Sequence, residues 1–380
     1  MRFLPVLLFI KQLKIKPTAY LLLFFSLRCL CSVAQDWQQL PDFPGSSRDD
    51  GVGFILGDTA FFGTGCTPWW TTQGDFYGLD LTTDTWFNTA SLPAGEERQY
   101  ACAFTSSGNK AFVFGGYNGS VFLNDLWCYN ASNNEWTTKS PLPSFGRSGA
   151  SCFVLNDTAY IVGGKSASNF ALDEVWAYSI ASDSWNQKNN FPFGPRWRAS
   201  SIGFDNKGYL LFGRDSTNTF HNDLYSFDPN LNAWEFVSVF PAQGRSHAAL
   251  FSISNFLYIC FGIDSNQNTH NDLWRYDLIS NSWNTLPGLP SIGRRGGMTV
   301  STDVELYYTT GIDENNQRLN ETWKYSPYLG STELNHTVEE KILCGIYDML
   351  GRVTTVKSNE LLFYFYSDGS IEKVVYCENK

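Results

Sequence analysis

An arginine recurs once in each copy of a repeated segment, as Arg48, Arg98, Arg147, Arg198, Arg245 and Arg294. A guanidinium is always charged and grips a carboxylate through two nitrogens at once, so six of them at one phase of a repeat could receive acidic groups. Acids recur as well, at Asp75, Asp125, Glu174, Asp223, Asp272 and Glu321. Two outcomes stand open: a ring of free cations that binds anions, or internal pairs that lock loops and leave little net field. Ten of the thirteen tryptophans hold repeat phases, whereas Trp69, Trp70 and Trp197 do not. Indole faces on loops suit stacking on a sugar or anchoring a partner. The competing expectation is that they fold down onto their own loops. Tyr100 and His247, each two residues after an arginine, join the candidate binding set.

Other chemistries find less support. His221 and His270 stand just before equivalent N-D-L segments and mark kinship between copies. The loops that begin at Asp215, Asp264 and Asp313 share a phase and carry oxygen ligands. They lack the glycine that bends a calcium loop, so Asx turns are expected there. The cysteines show no C-x-x-C spacing, so no zinc site is expected. Neither a nucleophilic-serine motif, a phosphate loop nor an H-E-x-x-H stretch occurs. No metal and no cofactor is therefore expected, while paired-carboxylate chemistry stays open because every copy carries acids.

What must position these residues is the repeat itself. Trp37, Trp86, Trp136, Trp185, Trp234 and Trp283 are spaced by 49, 50, 49, 49 and 49 residues. Gly65, Gly116, Gly164, Gly213, Gly262 and Gly311 keep the same period, and a period near 50 points to a propeller-type array. Within a copy, a run of small residues follows each arginine, such as Ala101-Cys102-Ala103 or Gly149-Ala150-Ser151. Then come an apolar run ending at the glycine, a D-L-W-x-Y strand, and a strand with the closing Trp. Small side chains suit strands crowded around an axis, and large rings suit the wedge that opens outward. Gln35 to Pro44 matches the end of a copy, and the last copy stops at Tyr325-Ser326 without a closing Trp. The N-terminal strand is therefore expected to complete a sixth sheet and close the array.

The glycine pair, the third-strand Trp or Tyr and the fourth-strand Trp, over about residues 36 to 326, resemble the kelch repeat family. Departures are local: Thr64, Phe212, Phe261 and Thr310 replace the first glycine, and Tyr77 and Tyr225 the third-strand Trp. The resemblance implies an all-β, six-bladed kelch-type propeller closed by the N-terminal strand. It also implies that the mouth of the central channel is the ligand face, where arginines at this phase serve acidic peptides. A copper oxidase of the galactose-oxidase type shares the architecture, but needs two His, two Tyr and a Cys converging on one metal. His247 is the only histidine expected beside the axis. The periplasmic kelch sialic-acid mutarotases offer an enzymatic alternative, which needs an acid or His247 close to unpaired arginines.

The formal net charge is −10, and the first 34 residues hold five basic groups and no acid, leaving the remainder near −15. So acidic a chain lacks the cationic surplus of a general nucleic-acid binder. Residues 1–34 read as a secretory signal: lysines at 11, 14 and 16, an apolar run from Ala19 to Leu27, and Ser32-Val33-Ala34 before the cut. That run is too short to span a membrane. The propeller is expected over 35–327 and a small β region over 328–380, with a hairpin turning at Asp368-Gly369. The tail resembles the sorting domains of type IX secretion cargo through Tyr347-Asp348-Met349-Leu350-Gly351 and Asp368-Gly369-Ser370 with Lys373, although the Asn-Pro opening is missing. That likeness implies a Gram-negative host and a secreted or cell-surface protein. Of the seven cysteines beyond the signal, Cys344 and Cys377 lie on strands that could pair and bridge; most others sit in apolar strands as small hydrophobes. The expected function is an exported, monomeric, non-catalytic module that binds a glycan or an acidic protein partner at the channel mouth. The alternative is the mutarotase.

Overall fold

The computed structural model describes residues 37–327, 343–347, 354, 361–366 and 371–375. The expected signal, the Tyr347–Gly351 sorting motif beyond Tyr347, the Asp368-Gly369-Ser370 turn and Cys377 lie outside the described residues.

Six four-stranded antiparallel sheets follow one another along the chain. The first blade runs Val52–Leu56, Thr59–Gly63, Phe76–Asp80 and Thr85–Asn88; the second runs Cys102–Ser106, Lys110–Tyr117, Phe122–Asn130 and Glu135–Lys139. The sixth takes Met298–Ser301, Leu306–Thr309 and Thr322–Tyr325, and its outer strand is Trp37–Leu40 from the other end. Trp37 stands opposite Tyr325 and Gln39 opposite Trp323, so both ends of the array are zipped into one sheet. The architecture is an all-β, six-bladed propeller, and no helix occurs among the described residues.

Strand alternation builds the seams between blades. Val52, Phe54 and Leu56 on the first inner strand pack with Val113, Trp127 and Tyr129 of the next blade. Burying a ring of that size contributes about 2–3 kcal/mol. All the closing tryptophans but Trp234 also tie their blade to the one before it. Trp86 donates to the Pro41 carbonyl at 2.9 Å, Trp136 to Ala90 at 2.9 Å, Trp185 to Ser140 at 2.8 Å and Trp37 to Pro287 at 3.0 Å. Where the first glycine of the pair is replaced, the backbone keeps its conformation: Thr64, Phe212, Phe261 and Thr310 have φ of 58°, 70°, 64° and 67°. The seams hold these residues in a left-handed turn that glycine would take freely.

A separate unit within Leu329–Lys380 is a three-stranded antiparallel sheet with Leu361–Tyr366 between Leu343–Tyr347 and Ile371–Val375. The strand that carries Cys344 therefore pairs with Leu361–Tyr366 and not with the strand that leads to Cys377, contrary to the pairing expected for a bridge.

Candidate functional site: the channel mouth

Six arginines at one phase each meet a carboxylate of their own blade, and the pairing outcome prevails over the free ring. Arg48 grips both oxygens of Asp75. Arg98 meets Asp125 at 2.8 and 2.9 Å, Arg147 meets Glu174 at 2.6 Å, Arg245 meets Asp272 at 2.7 and 2.5 Å, and Arg294 meets Glu321 at 2.6 Å. All five arginines are buried. Arg48, Arg98, Arg147 and Arg245 also donate to the carbonyl just before the repeat glycine, at Thr64, Gly115, Gly163 and Phe261. A third-strand indole steadies most of the acids: Trp127 on Asp125, Trp176 on Glu174, Trp274 on Asp272 and Trp323 on Glu321. Burial pushes the Glu174 carboxyl up, but the bonds from Arg147 and Trp176 outweigh it and hold the group below its usual range. A desolvated guanidinium needs such compensation, which is why each arginine is spent inside its blade.

The member of this set in blade 4 is Arg196, 3.2 Å from Asp223, and not Arg198. The repeat carries the correction, because Arg196 stands 49 residues from both Arg147 and Arg245, whereas Arg198 stands 51 and 47 away. Arg198 belongs instead with Tyr100 and His247. Together with Asp50, Gly149 and Gly296 they make one ring, a residue from each blade, lining a cavity of about 130 Å3 at the mouth of the axis.

That ring is a closed collar of backbone hydrogen bonds. The amide of Tyr100 donates to the Asp50 carbonyl at 2.9 Å, Gly149 to Tyr100 at 2.8 Å and Arg198 to Gly149 at 2.9 Å; His247 to Arg198 at 3.4 Å, Gly296 to His247 at 3.3 Å and Asp50 to Gly296 at 2.6 Å complete the circle. All six residues are left-handed, with φ between 59° (Gly149) and 65° (Gly296). Four are not glycine, and such strain is held only where surrounding structure over-determines it. The two glycines make room for their neighbours: a Cβ on Gly149 would lie 2.6 Å from Trp197 Nε1, and one on Gly296 would lie 2.5 Å from Asp50 Oδ1.

Side chains then fill the opening. Arg198 stacks on the Tyr100 ring at 3.8 Å and reaches Asp50 at 2.5 Å. Three more cations stand around them without a carboxylate partner among the described residues. The Arg214 side chain lies over the Trp197 ring at 4.3 Å and bonds only Asn218, at 3.0 Å; Lys165 lies 5.7 Å from the same ring; the Arg295 guanidinium has neither hydrogen bond nor ion pair, although its charge reaches Asp49. The fields of Arg214 and Arg295 are visible in the groups between them. Burial, then Arg198, Arg295 and Arg214, hold the His247 imidazole well below its usual range, so it is neutral. The Asp50 charge and burial push the Tyr100 phenol up, against Arg198. Burial with Arg198 and Arg295 draws Arg214 down to about 10. Beside the collar, burial and Asp50 raise the Asp49 carboxyl to about 7 although Arg318 sits 2.6 Å away.

A family model described as the KLHDC2/KLHL20/DRC7 Kelch-repeats domain matches residues 61–212 and again 189–333, more than half of the chain. The chain belongs to the kelch-repeat family. The N-acetylneuraminate epimerase of Haemophilus influenzae (strain PittEE) is 36% identical to this kelch chain over 144 residues, 35% of each protein. That of Shigella sonnei (strain Ss046) is 31% identical over 150 residues, 37% of this chain and 38% of the other. The Rho GTPase-activating protein gacHH of Dictyostelium discoideum is 36% identical over 77 residues, 20% of this chain and 5% of that one. The kelch chain thus spans little more than a third of the length of the two epimerases it matches. A solved structure titled "Structure of YjhT" superposes with a TM-score of 0.65 at 18% identity, covering 74% of this chain and 95% of that one, a likeness of fold.

The tryptophans outside the kelch pattern part company. Trp69 and Trp70 are 87% and 74% exposed, on a loop closed by the Thr67 amide on the Thr71 carbonyl, with the Arg318 guanidinium 4.9 Å from the Trp70 ring. Trp197 is no loop residue: it opens the inner strand Trp197–Phe204 and is buried, its ring covered by Arg214 and edged by Phe170, so it offers no open face for stacking. Its Nε1 is nonetheless a buried donor without an acceptor. The Asp215, Asp264 and Asp313 loops are Asx turns, their carboxylates accepting amides at 2.7–3.0 Å from residues two and four ahead. Sequence reasoning missed Asp50, Arg196, Lys165, Arg214 and Arg295. The kelch period could have found the first two, and it places Lys165 and Arg214 together as the residues that follow the repeat glycine in blades 3 and 4.

Proposed function

We propose that this chain binds a carboxylated sugar, taken acid-first into the channel mouth. The observation that carries the reading is the group of cations at the collar, Lys165, Arg214 and Arg295, left without carboxylate partners in an otherwise acidic chain whose other buried arginines are matched. The unpartnered Trp197 Nε1 adds a neutral donor beside them. A mouth of about 130 Å3 suits a carboxylate and its first carbons, with the rest of the ligand lying outward. The epimerase relatives are named for N-acetylneuraminate, a sugar acid, which serves as the probe. Export by the N-terminal segment and surface sorting by the tail belong to the same proposal.

A mutarotase reading is favoured by one further observation. Neutral His247 and protonated Tyr100 share the collar, and such a pair can take a proton from one sugar oxygen while giving one to another. One titration of the full chain with N-acetylneuraminate, followed by NMR, tests both. Binding that Arg295→Ala weakens at least tenfold supports the site. Faster exchange between the sugar's anomers, lost in His247→Ala, supports the enzyme; binding without exchange supports the module. No binding, or binding indifferent to Arg295→Ala, overturns the mouth as the site.

A further inference from the structure

The seam between blades 2 and 3 holds two thiols. Along each inner strand, alternate side chains look toward the next blade and back toward the previous one. Cys102 opens its strand and lies in one buried cluster with Ala159, Ile161 and Tyr178 of blade 3. Cys152, second on Ser151–Leu155, looks back, its thiol 3.1 Å from the Ala103 carbonyl of blade 2. Cys152 packs against the same buried cluster that holds Cys102. At the next seam the same two positions are Ser151 and Ser201, and Ser201 donates to the Cys152 carbonyl at 2.8 Å. By the same phase the remaining seams set Val52 by Ala103, Ser200 by Leu250, Ala249 by Thr299 and Met298 by Gly53. Only one of the six seams brings sulfur to sulfur.

We propose that Cys102 and Cys152 are a disulfide site, oxidised to an interblade bond by a small disulfide compound. Cys152 lines a channel cavity of about 330 Å3, which admits such a reagent. Its thiolate attacks one sulfur of the reagent, whose S–S bond breaks and releases one thiol. Cys102, giving up its proton, then attacks the Cys152 sulfur and releases the second thiol. Two protons and two electrons leave the cysteines, and the reagent's disulfide is reduced to two thiols. The neighbouring Cys152 thiol and burial push the Cys102 thiol well above its usual range, so this second step is slow at neutral pH and speeds up as pH rises.

The test uses the folded full chain and 2-hydroxyethyl disulfide at alkaline pH, followed by unfolding in iodoacetamide, tryptic digestion and mass spectrometry. The expected product joins peptide 99–110 to peptide 148–165, lighter than their sum by two hydrogen atoms. Closing a loop of 50 residues should raise the midpoint of thermal unfolding by about 5–10 °C. Reductant should reverse that rise. Cys152→Ser, which installs the side chain already present at Ser201, should fold and show no oxidation-dependent rise. Recovery of both peptides fully alkylated, or of Cys102 joined to Cys66, Cys128 or Cys260, overturns the proposal.

Discussion

Replacing Arg98 with methionine separates a locking arginine from a ligand-binding one. Arg98 is fully buried and makes five hydrogen bonds: to the Glu96 carbonyl at 2.9 Å, the Gly115 carbonyl at 3.2 Å, the Glu96 carboxylate at 3.0 Å and the two Asp125 oxygens at 2.8 and 2.9 Å. Methionine keeps much of the volume and none of the donors. Removing one partner from a buried ion pair costs about 3–5 kcal/mol. The Asp125 side chain is 31% exposed, so water recovers part of its loss, and we expect about 3 kcal/mol. Adding Asp125→Asn removes the stranded charge and should restore about 1 kcal/mol of that loss. The assay is urea unfolding, with the midpoint falling and the slope unchanged, alongside titration with N-acetylneuraminate, whose affinity should stay within about twofold. A loss of stability under about 1 kcal/mol, together with abolished binding, would refute the reasoning and return the six arginines to the ligand surface.

Asp49 carries a pH signature. Its folded carboxyl titrates near 7 against about 4 when unfolded, so the folded state holds the extra proton; its contribution to stability is present below pH 4 and is lost as pH rises toward 7. Asp49→Asn should remove that decline when melting is compared from pH 4 to 8, and identical slopes in both proteins would contradict it. Trp37→Ala should cost about 3–5 kcal/mol, because the ring is buried and its strand alone closes the sixth blade. Thermal unfolding measures this, and a change under about 1 kcal/mol would mean that the zipper contributes little.

The sequence by itself determined the wheel. Tryptophan and glycine at one period need only local strand and turn chemistry to be read, and each copy repeats the same test. Hence the blade count, the small inner strands and the closure of Trp37 against Tyr325 were all legible before any coordinates. The site was legible only in part. Tyr100 and His247 were found as residues near the axis, but Arg198 was placed in the recurring arginine set, although the 49-residue period favours Arg196. Only the tertiary structure decided that the repeat arginines are paired rather than free, and that Arg198 turns to Asp50 and Tyr100. The same holds for the buried face of Trp197, the unmatched Arg295 and the two thiols of one seam. Each depends on which side chains meet across blades some fifty residues apart, where packing and the cost of stranding a charge choose the partner.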